Sequence, residues 1–192
     1  PVDTSMGFTP LDGLMMGTRS GSIDPAIVTF LMEHEGLSTE EVNDVLNKKS
    51  GLLGVSGISN DLRMVRDASN AGDERAILAY EMYSSICKKY IGQYLALMSG
   101  ADAIVLSAGV GEKMRRMIFS GFQPLGIILD PEKNKQRGFE RIISTDNSAV
   151  TIIVIPTDEE YMIARDTYEI VHEASQIIPV SSVQDEFSTE GR

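Results

Sequence analysis

Between Asp73 and Ser99 the apolar residues Ile77, Tyr80, Tyr83, Ile86, Cys87, Tyr90, Ile91, Tyr94, Leu95 and Met98 recur at spacings of three and four. That period predicts one long amphipathic helix, which must lay its apolar stripe against something else in the molecule. Gly100 is expected to end it, and Ala103-Ile104-Val105-Leu106-Ser107 follows as a short, apolar, β-prone run. The run leads through Ala108-Gly109-Val110-Gly111-Glu112 into a helix expected over about Lys113 to Phe119, so the unit reads strand, glycine turn, helix. Further strands are expected at Ile127 to Leu129, Arg141 to Ser144 and Thr151 to Ile155, and a helix from Asp158 to His172 with Met162, Ile163, Thr167 and Ile170 inward. Strands alternating with helices predict an α/β architecture.

Ahead of the long helix the chain is differently built. Gly7, Gly13, Gly17 and Gly21 interrupt every apolar patch of residues 1 to 24, which predicts a strand end near Val2 to Ser5 followed by shaped loops. Asp24-Pro25 can open a helix carrying Ile27, Val28, Phe30 and Leu31 as far as Gly36. Ser38 and Glu41 stand three apart as a capping box before Val42, Val45 and Leu46, with a stop expected near Ser50-Gly51. Residues 1 to 174 are assigned to a single domain, and 175 to 192, polar and without a period, to a flexible tail.

A formal net charge of -11 gives an overall field that repels polyanions, which argues against nucleic acid or an anionic membrane as partner. A small anionic substrate must then be held by a few arginines, helix dipoles or a metal ion placed locally. Cys87 is the only cysteine, so no internal disulfide can form, and its helical apolar neighbours make it a small buried hydrophobe. The expected location is cytoplasmic, since no apolar run approaches the length of a membrane span and no export signal opens the chain.

Four segments could carry chemistry, and each has a structural alternative. Gly109-Val110-Gly111-Glu112 lets backbone approach a ligand at a helix start, or simply packs a tight turn. Asn60-Asp61-Leu62-Arg63 offers a carboxylate for a ribose and a guanidinium plane for a base, or a plain helix cap. Met16-Gly17-Thr18-Arg19-Ser20-Gly21 holds an arginine between glycines, suited to a phosphoryl group or to solvent. In Pro156-Thr157-Asp158-Glu159-Glu160 the carboxylates suit a helix dipole or Mg²⁺. His34 and His172 each sit in helical context without a second ligand at suitable spacing.

Asp3-Thr4-Ser5-Met6-Gly7-Phe8-Thr9-Pro10-Leu11-Asp12-Gly13-Leu14-Met15-Met16-Gly17-Thr18-Arg19-Ser20-Gly21 closely resembles the long second signature of the acetate kinases. The resemblance continues in order through Gly54 to Arg63, Ser107 to Glu112 and Val154 to Glu160. It implies the acetate and sugar kinase, Hsc70 and actin type of fold, with a ribonuclease-H-like domain represented here by a carboxy-terminal half. The activity implied is reversible phosphoryl transfer between ATP and acetate, giving ADP and acetyl phosphate, with propionate as the alternative acyl substrate. By the same resemblance Arg19 is the arginine that stabilises the transferring phosphoryl group. Asp61, Leu62 and Arg63 match the triplet that contacts adenosine, and Gly109, Val110, Gly111, Glu112 and Lys113 the second nucleotide-contacting loop. Glu159 matches the carboxylate assigned to Mg²⁺.

Three positions depart from the commonest pattern of that family: Leu62 where Phe is frequent, Lys113 where Asn is usual, and Asp158 where Asn precedes the metal carboxylate. The resemblance also places the remaining substrate-site groups in an amino-terminal half, and the phosphate loop in the segment just before this one, neither of which occurs in this sequence. The opening hairpin of the domain is likewise expected to be missing, leaving the strand near Val2 to Ser5 with an unpaired edge. A separate chain carrying that half is therefore the expected partner, together with a second copy in a homodimer.

Overall fold

The computed structural model describes residues 1–107, 111–138 and 140–177. The first two dozen residues form loops in which no strand is present, so the expected strand near Val2 to Ser5 is not formed; Val2 is 72% exposed. With no neighbouring strand, the backbone there gains nothing from extension, and Gln93 reaches it, donating to Asp3 at 2.9 Å.

Helix α1 spans Ala26–His34 and α2 spans Thr39–Lys48. Both start where expected. The Asp24 carboxylate accepts from the Ala26 amide at 2.9 Å, and Ser38 and Glu41 form a reciprocal capping box. The stop at Ser50-Gly51 is only a break, because α3 begins at once over Gly51–Ser56. Gly51 adopts φ +64, and a Cβ there would lie 2.2 Å from the Met16 carbonyl oxygen, so only glycine fits the junction.

Helix α4, Leu62–Asn70, is capped by Asp61, and α5, Glu74–Leu97, by Asp73, whose carboxylate accepts from the Ala76 amide at 2.8 Å. The long period of α5 holds as expected. Its end falls where Ser99 and Gly100 both take positive φ and the Gly100 amide returns to the Leu95 carbonyl at 2.8 Å.

Strand β1, Ala103–Leu106, then leads to α6, Glu112–Phe119, followed by a short 3-10 turn at Gln123–Leu125 and α7, Pro131–Lys135. Strands β2, Arg141–Ile142, and β3, Thr151–Val154, complete a three-stranded sheet in the order β1-β3-β2. β1 runs parallel to β3, pairing Ala103 with Thr151 and Leu106 with Val154, while β2 is antiparallel to β3. The strand expected at Ile127 to Leu129 is reduced to a single bridge between Leu129 and Ser144, since Asp130 and Pro131 turn the chain into α7 at that point.

One face of the sheet is buried. Ile152 and Val154 pack with Val65 of α4, Ala76, Ala79 and Tyr80 of α5, and Met114, Ile118 and Phe119 of α6. On the other face Val105 and Ile142 are more than half exposed. The last helix, α8 over Glu159–Ile177, corrects an expectation: Met162, Ile163, Thr167 and Ile170 do not point inward, and its described side chains are exposed along its length. Residues 178–192, most of the expected tail, lie outside the described residues.

Candidate functional site

The loop that carries Arg19 is built from backbone contacts. Its reverse turn is closed by the Met16 amide donating to the Arg19 carbonyl at 3.1 Å. The carbonyls of Met16 and Gly17 then accept from the Leu52 and Leu53 amides at 2.9 Å each, so this loop caps the start of α3. Thr18 adds a side-chain bond to the Asn47 carbonyl at 2.8 Å. These bonds fix the backbone of Arg19 while leaving its guanidinium half-buried, with only the Met16 sulfur at 3.6 Å as a weak acceptor. Among the described residues no carboxylate pairs with it.

Four residues beyond α3 the chain comes back to the same loop. A Cβ on Gly17 would stand 2.8 Å from the Asn60 carbonyl oxygen, so the Arg19 loop and the Asn60-Asp61 turn are in direct backbone contact. Arg75 sets the height of that turn by donating to the Val55 and Gly54 carbonyls, both at 2.9 Å. Asp61 caps α4 through the Arg63 amide at 2.7 Å, and the Arg63 guanidinium folds back on the same carboxylate, its Nη2 at 2.7 Å. Hydrogen bonds from Arg63 hold the Asp61 carboxyl down at about 2, so it is ionised throughout the neutral range. Both readings of Asp61 thus remain in play: it caps a helix and presents a carboxylate at the surface. Leu62, by contrast, packs against the core and supplies an apolar wall.

The third segment leaves the sheet at the carboxyl end of β1. Gly109 and Val110 lie outside the described residues. Gly111 is the N-cap of α6 in extended backbone, without a side-chain cap, and nothing stands within 4 Å of the position its Cβ would occupy. Among the described residues no side chain caps the first amides of α6. Lys113 is tied down: its ammonium donates to Asn70 Oδ1 at 2.5 Å and sits 5.3 Å from the centre of the Tyr80 ring. That contact joins the end of α4 to the start of α6, so Asp61 and the Gly111 turn flank opposite ends of one short helix.

Glu159 opens α8 from the carboxyl end of β3, next to the end of β1. The Ile155 amide donating to the Leu106 carbonyl at 2.9 Å carries the parallel pairing to that edge, so the Gly111 and Glu159 turns leave the same side of the sheet. Glu159 itself is exposed, and the neighbouring Asp158 is spent as a cap on the Tyr161 amide at 3.1 Å. Among the described residues no group of three His, Cys, Asp or Glu side chains could hold a metal ion unaided.

Arg19, Asp61, the Gly111 turn and Glu159 thus form a chain of neighbours rather than the walls of a single cavity. A cavity of about 370 Å³ does open beside Gly111, Glu112 and Lys113, but Arg19, Asp61 and Glu159 stand outside its lining. Its floor was not legible beforehand: Arg115 and Asn134 are both buried, with Arg115 Nε donating to Asn134 Oδ1 at 2.6 Å and Asn134 Nδ2 to the Glu112 carbonyl at 3.2 Å. Burial, then the nearby Arg141 charge, push the Arg115 guanidinium below its usual range. The one signal for this cluster is the run Lys133-Asn134-Lys135-Gln136-Arg137.

A model of the Acetokinase family matches residues 1–165. The acetate kinase of Caldanaerobacter subterraneus subsp. tengcongensis is 60% identical over 174 residues, covering 88% of this chain and 43% of that protein. The crystal structure of Porphyromonas gingivalis acetate kinase superposes with a TM-score of 0.82 at 50% identity, over 87% of this chain and 43% of that one. A propionate kinase from Francisella tularensis subsp. tularensis gives 0.78 at 43% identity, over 84% and 42%. The chain spans about 43% of the length of the curated relatives it matches.

Proposed function

This chain belongs to the acetokinase family, and on that premise we propose that it supplies the nucleotide-binding part of an enzyme transferring a phosphoryl group reversibly between ATP and acetate. The observation that carries the proposal is the backbone contact between Gly17 and Asn60, which sets the Arg19 loop against the Asp61 turn. In this reading Asp61 accepts from the ribose, Arg63 lies along the base, Leu62 backs them, and Gly109 to Lys113 form the second loop that contacts the nucleotide. Opening the Asp61–Arg63 pair to admit a ligand is cheap, because the pair is exposed and well solvated.

In the forward direction an acetate carboxylate oxygen attacks the terminal phosphorus of ATP, the bond to the bridging oxygen breaks, and ADP leaves with that electron pair. Arg19, held by its loop but without a carboxylate partner among the described residues, is placed to neutralise charge on the equatorial oxygens as they pass. The donor set fits Mg²⁺ in the manner usual for that ion, one exposed carboxylate at Glu159 with the remaining positions left to phosphate and water. When bound, Mg²⁺ would shield the charge of the phosphate chain.

The groups that complete the acyl site belong to the part of the family length this chain does not span, carried by an amino-terminal partner segment, and the assembled enzyme is a cytoplasmic homodimer. Taken alone the chain is a nucleotide-binding and dimerisation module. The similarity to a propionate kinase supports a second reading, in which propionate is the preferred acyl substrate. Acyl phosphate trapped as the hydroxamate in the completed enzyme tests both. Acetate is expected to give the higher kcat/KM, although one methylene shifts the ratio by only about 10- to 200-fold. Higher turnover of propionate would transfer the assignment, and no acyl phosphate from either acid would remove it.

A further inference from the structure

Helix α3 has six residues, too few to hold its own shape, since an isolated helix needs about 12–15 to be even marginal in water. Its ends are therefore fixed from outside. At the amino end the Leu52 and Leu53 amides donate to the Met16 and Gly17 carbonyls of the Arg19 loop, at 2.9 Å each. At the carboxyl end the Gly54 and Val55 carbonyls, which a helix leaves without an amide of its own, accept from Arg75 Nη2 and Nε, both at 2.9 Å. The Arg19 loop and the start of α5 thus hold opposite ends of one short rod.

The residue type suits the place. The two carbonyls are successive, and the planar guanidinium fork offers such a pair two donors at fixed spacing. Positive charge at the carboxyl end of a helix is also favoured by the helix dipole. Gly57, at φ +69, leaves the room, because a Cβ there would stand 2.9 Å from Arg75 Nη1. Arg75 springs from the first turn of α5, where Asp73 caps the Ala76 amide at 2.8 Å and Ala76, Ala79 and Tyr80 are buried. The end of α3 is thereby fastened to a helix that the core holds.

From that end the chain runs on to the Asp61 turn. The Ile58 amide donates to Ser56 Oγ at 3.1 Å and the Asp61 amide to Ser59 Oγ at 3.0 Å, so residues 57–61 follow where the end of α3 points. We propose that Arg75 is a positioning residue for phosphoryl transfer: by holding the carboxyl end of α3 it sets Asp61, at the adenosine end of the nucleotide, at a fixed offset from Arg19, at the phosphoryl end. This role rests on those proposed above for Arg19 and Asp61. Arg75 makes its hydrogen bonds to α3 and to neither of them, so it acts through the rod and the turn. Without it one end of α3 is released while the bonds to the Arg19 loop remain. The nucleotide still binds, but its phosphate chain drifts from the guanidinium, and a misplacement of about 1 Å can lower a rate by about a hundredfold.

A double-mutant cycle in the completed enzyme, read by steady-state kinetics, tests it. Arg75→Ala is expected to lower kcat at least about tenfold while KM for ATP changes less than about twofold. In an Arg19→Ala background the same substitution is expected to lower kcat by less than about threefold more, because an absent guanidinium cannot be misplaced. Arg75→Lys keeps the charge and reaches one of the two carbonyls, so its kcat is expected between those of Arg75→Ala and the parent; the same cycle is run with it if Arg75→Ala does not fold. An unchanged kcat in Arg75→Ala, a rise in KM alone, or losses that multiply in the double variant would each overturn the proposal and leave the reading of Arg19 standing. An Arg19→Ala enzyme with the parent's kcat would remove that reading and the proposal together.

Discussion

Arg19 and Asp61 occupy the same neighbourhood but carry their charge differently. Arg19 has its backbone fixed and its guanidinium uncommitted, so replacing it changes little in the folded chain and much in the transition state. Arg19→Ala in the completed enzyme is expected to lower kcat by about 10²–10³ with KM for ATP nearly unchanged, measured by steady-state kinetics. A variant that lost nucleotide affinity instead would assign Arg19 to binding. Asp61 is committed already, its carboxyl held at about 2 by Arg63. A group whose folded value is depressed contributes stability that is present above the unfolded value of about 3.9 and is lost as pH falls through about 2. A carboxyl-carbon NMR titration is expected to place the Asp61 midpoint near 2; a midpoint near 3.9 would mean that the Arg63 pairing does not form in solution. Cys87 shows the opposite effect of environment. Burial raises its thiol to about 11 from an ordinary 9.0, so the thiolate fraction at pH 8 falls about a hundredfold. Alkylation by iodoacetamide at that pH should be slower than for an unfolded control by a similar factor.

The helix boundaries show which local rules suffice. Ser38 with Glu41 and the period from Ile77 to Leu95 were readable because caps and amphipathic stripes are decided within a few residues. Ser38→Ala is accordingly expected to cost about 1 kcal/mol in chemical denaturation, with no effect on nucleotide binding. Helix α3 was not readable, since Ser50-Gly51 looks like a stop and the amides that restart the helix find their acceptors at Met16 and Gly17, more than thirty positions earlier. The Arg115–Asn134 network was hidden for the same reason, its partners being separated by two turns and a short helix. For the candidate site, the turns at Asp61, Gly111 and Glu159 were legible from glycines and caps, whereas their mutual placement came only from the Gly17–Asn60 contact and the parallel pairing of β1 with β3. The inward face expected of α8 fails because a period says that a helix has an apolar side, not that this chain covers it. Its amides should exchange with deuterium much faster than those at the centre of α5 in the isolated chain, read by mass spectrometry.

At the scale of the molecule, the buried half and the exposed half divide the sheet between them. Ile152, Phe119 and Tyr80 anchor the core, and Ile152→Ala should destabilise it by about 2–5 kcal/mol. Val105 and Ile142 on the opposite sheet face, with Tyr161, Ile163 and Tyr168 of α8, leave apolar surface uncovered in a chain spanning about 43% of the length of its curated relatives. The core packs α4, α5 and α6 together, and these helices carry the loops proposed to face the nucleotide, so nucleotide binding is expected not to depend on acyl transfer. The most direct test is the pattern of amide exchange with and without saturating ADP. Slower exchange confined to residues 57–66 and 111–116, with α1 and α2 unchanged, is the predicted result. Protection confined to other parts of the chain, or no change at any segment, would contradict the shared nucleotide seat on which the account depends.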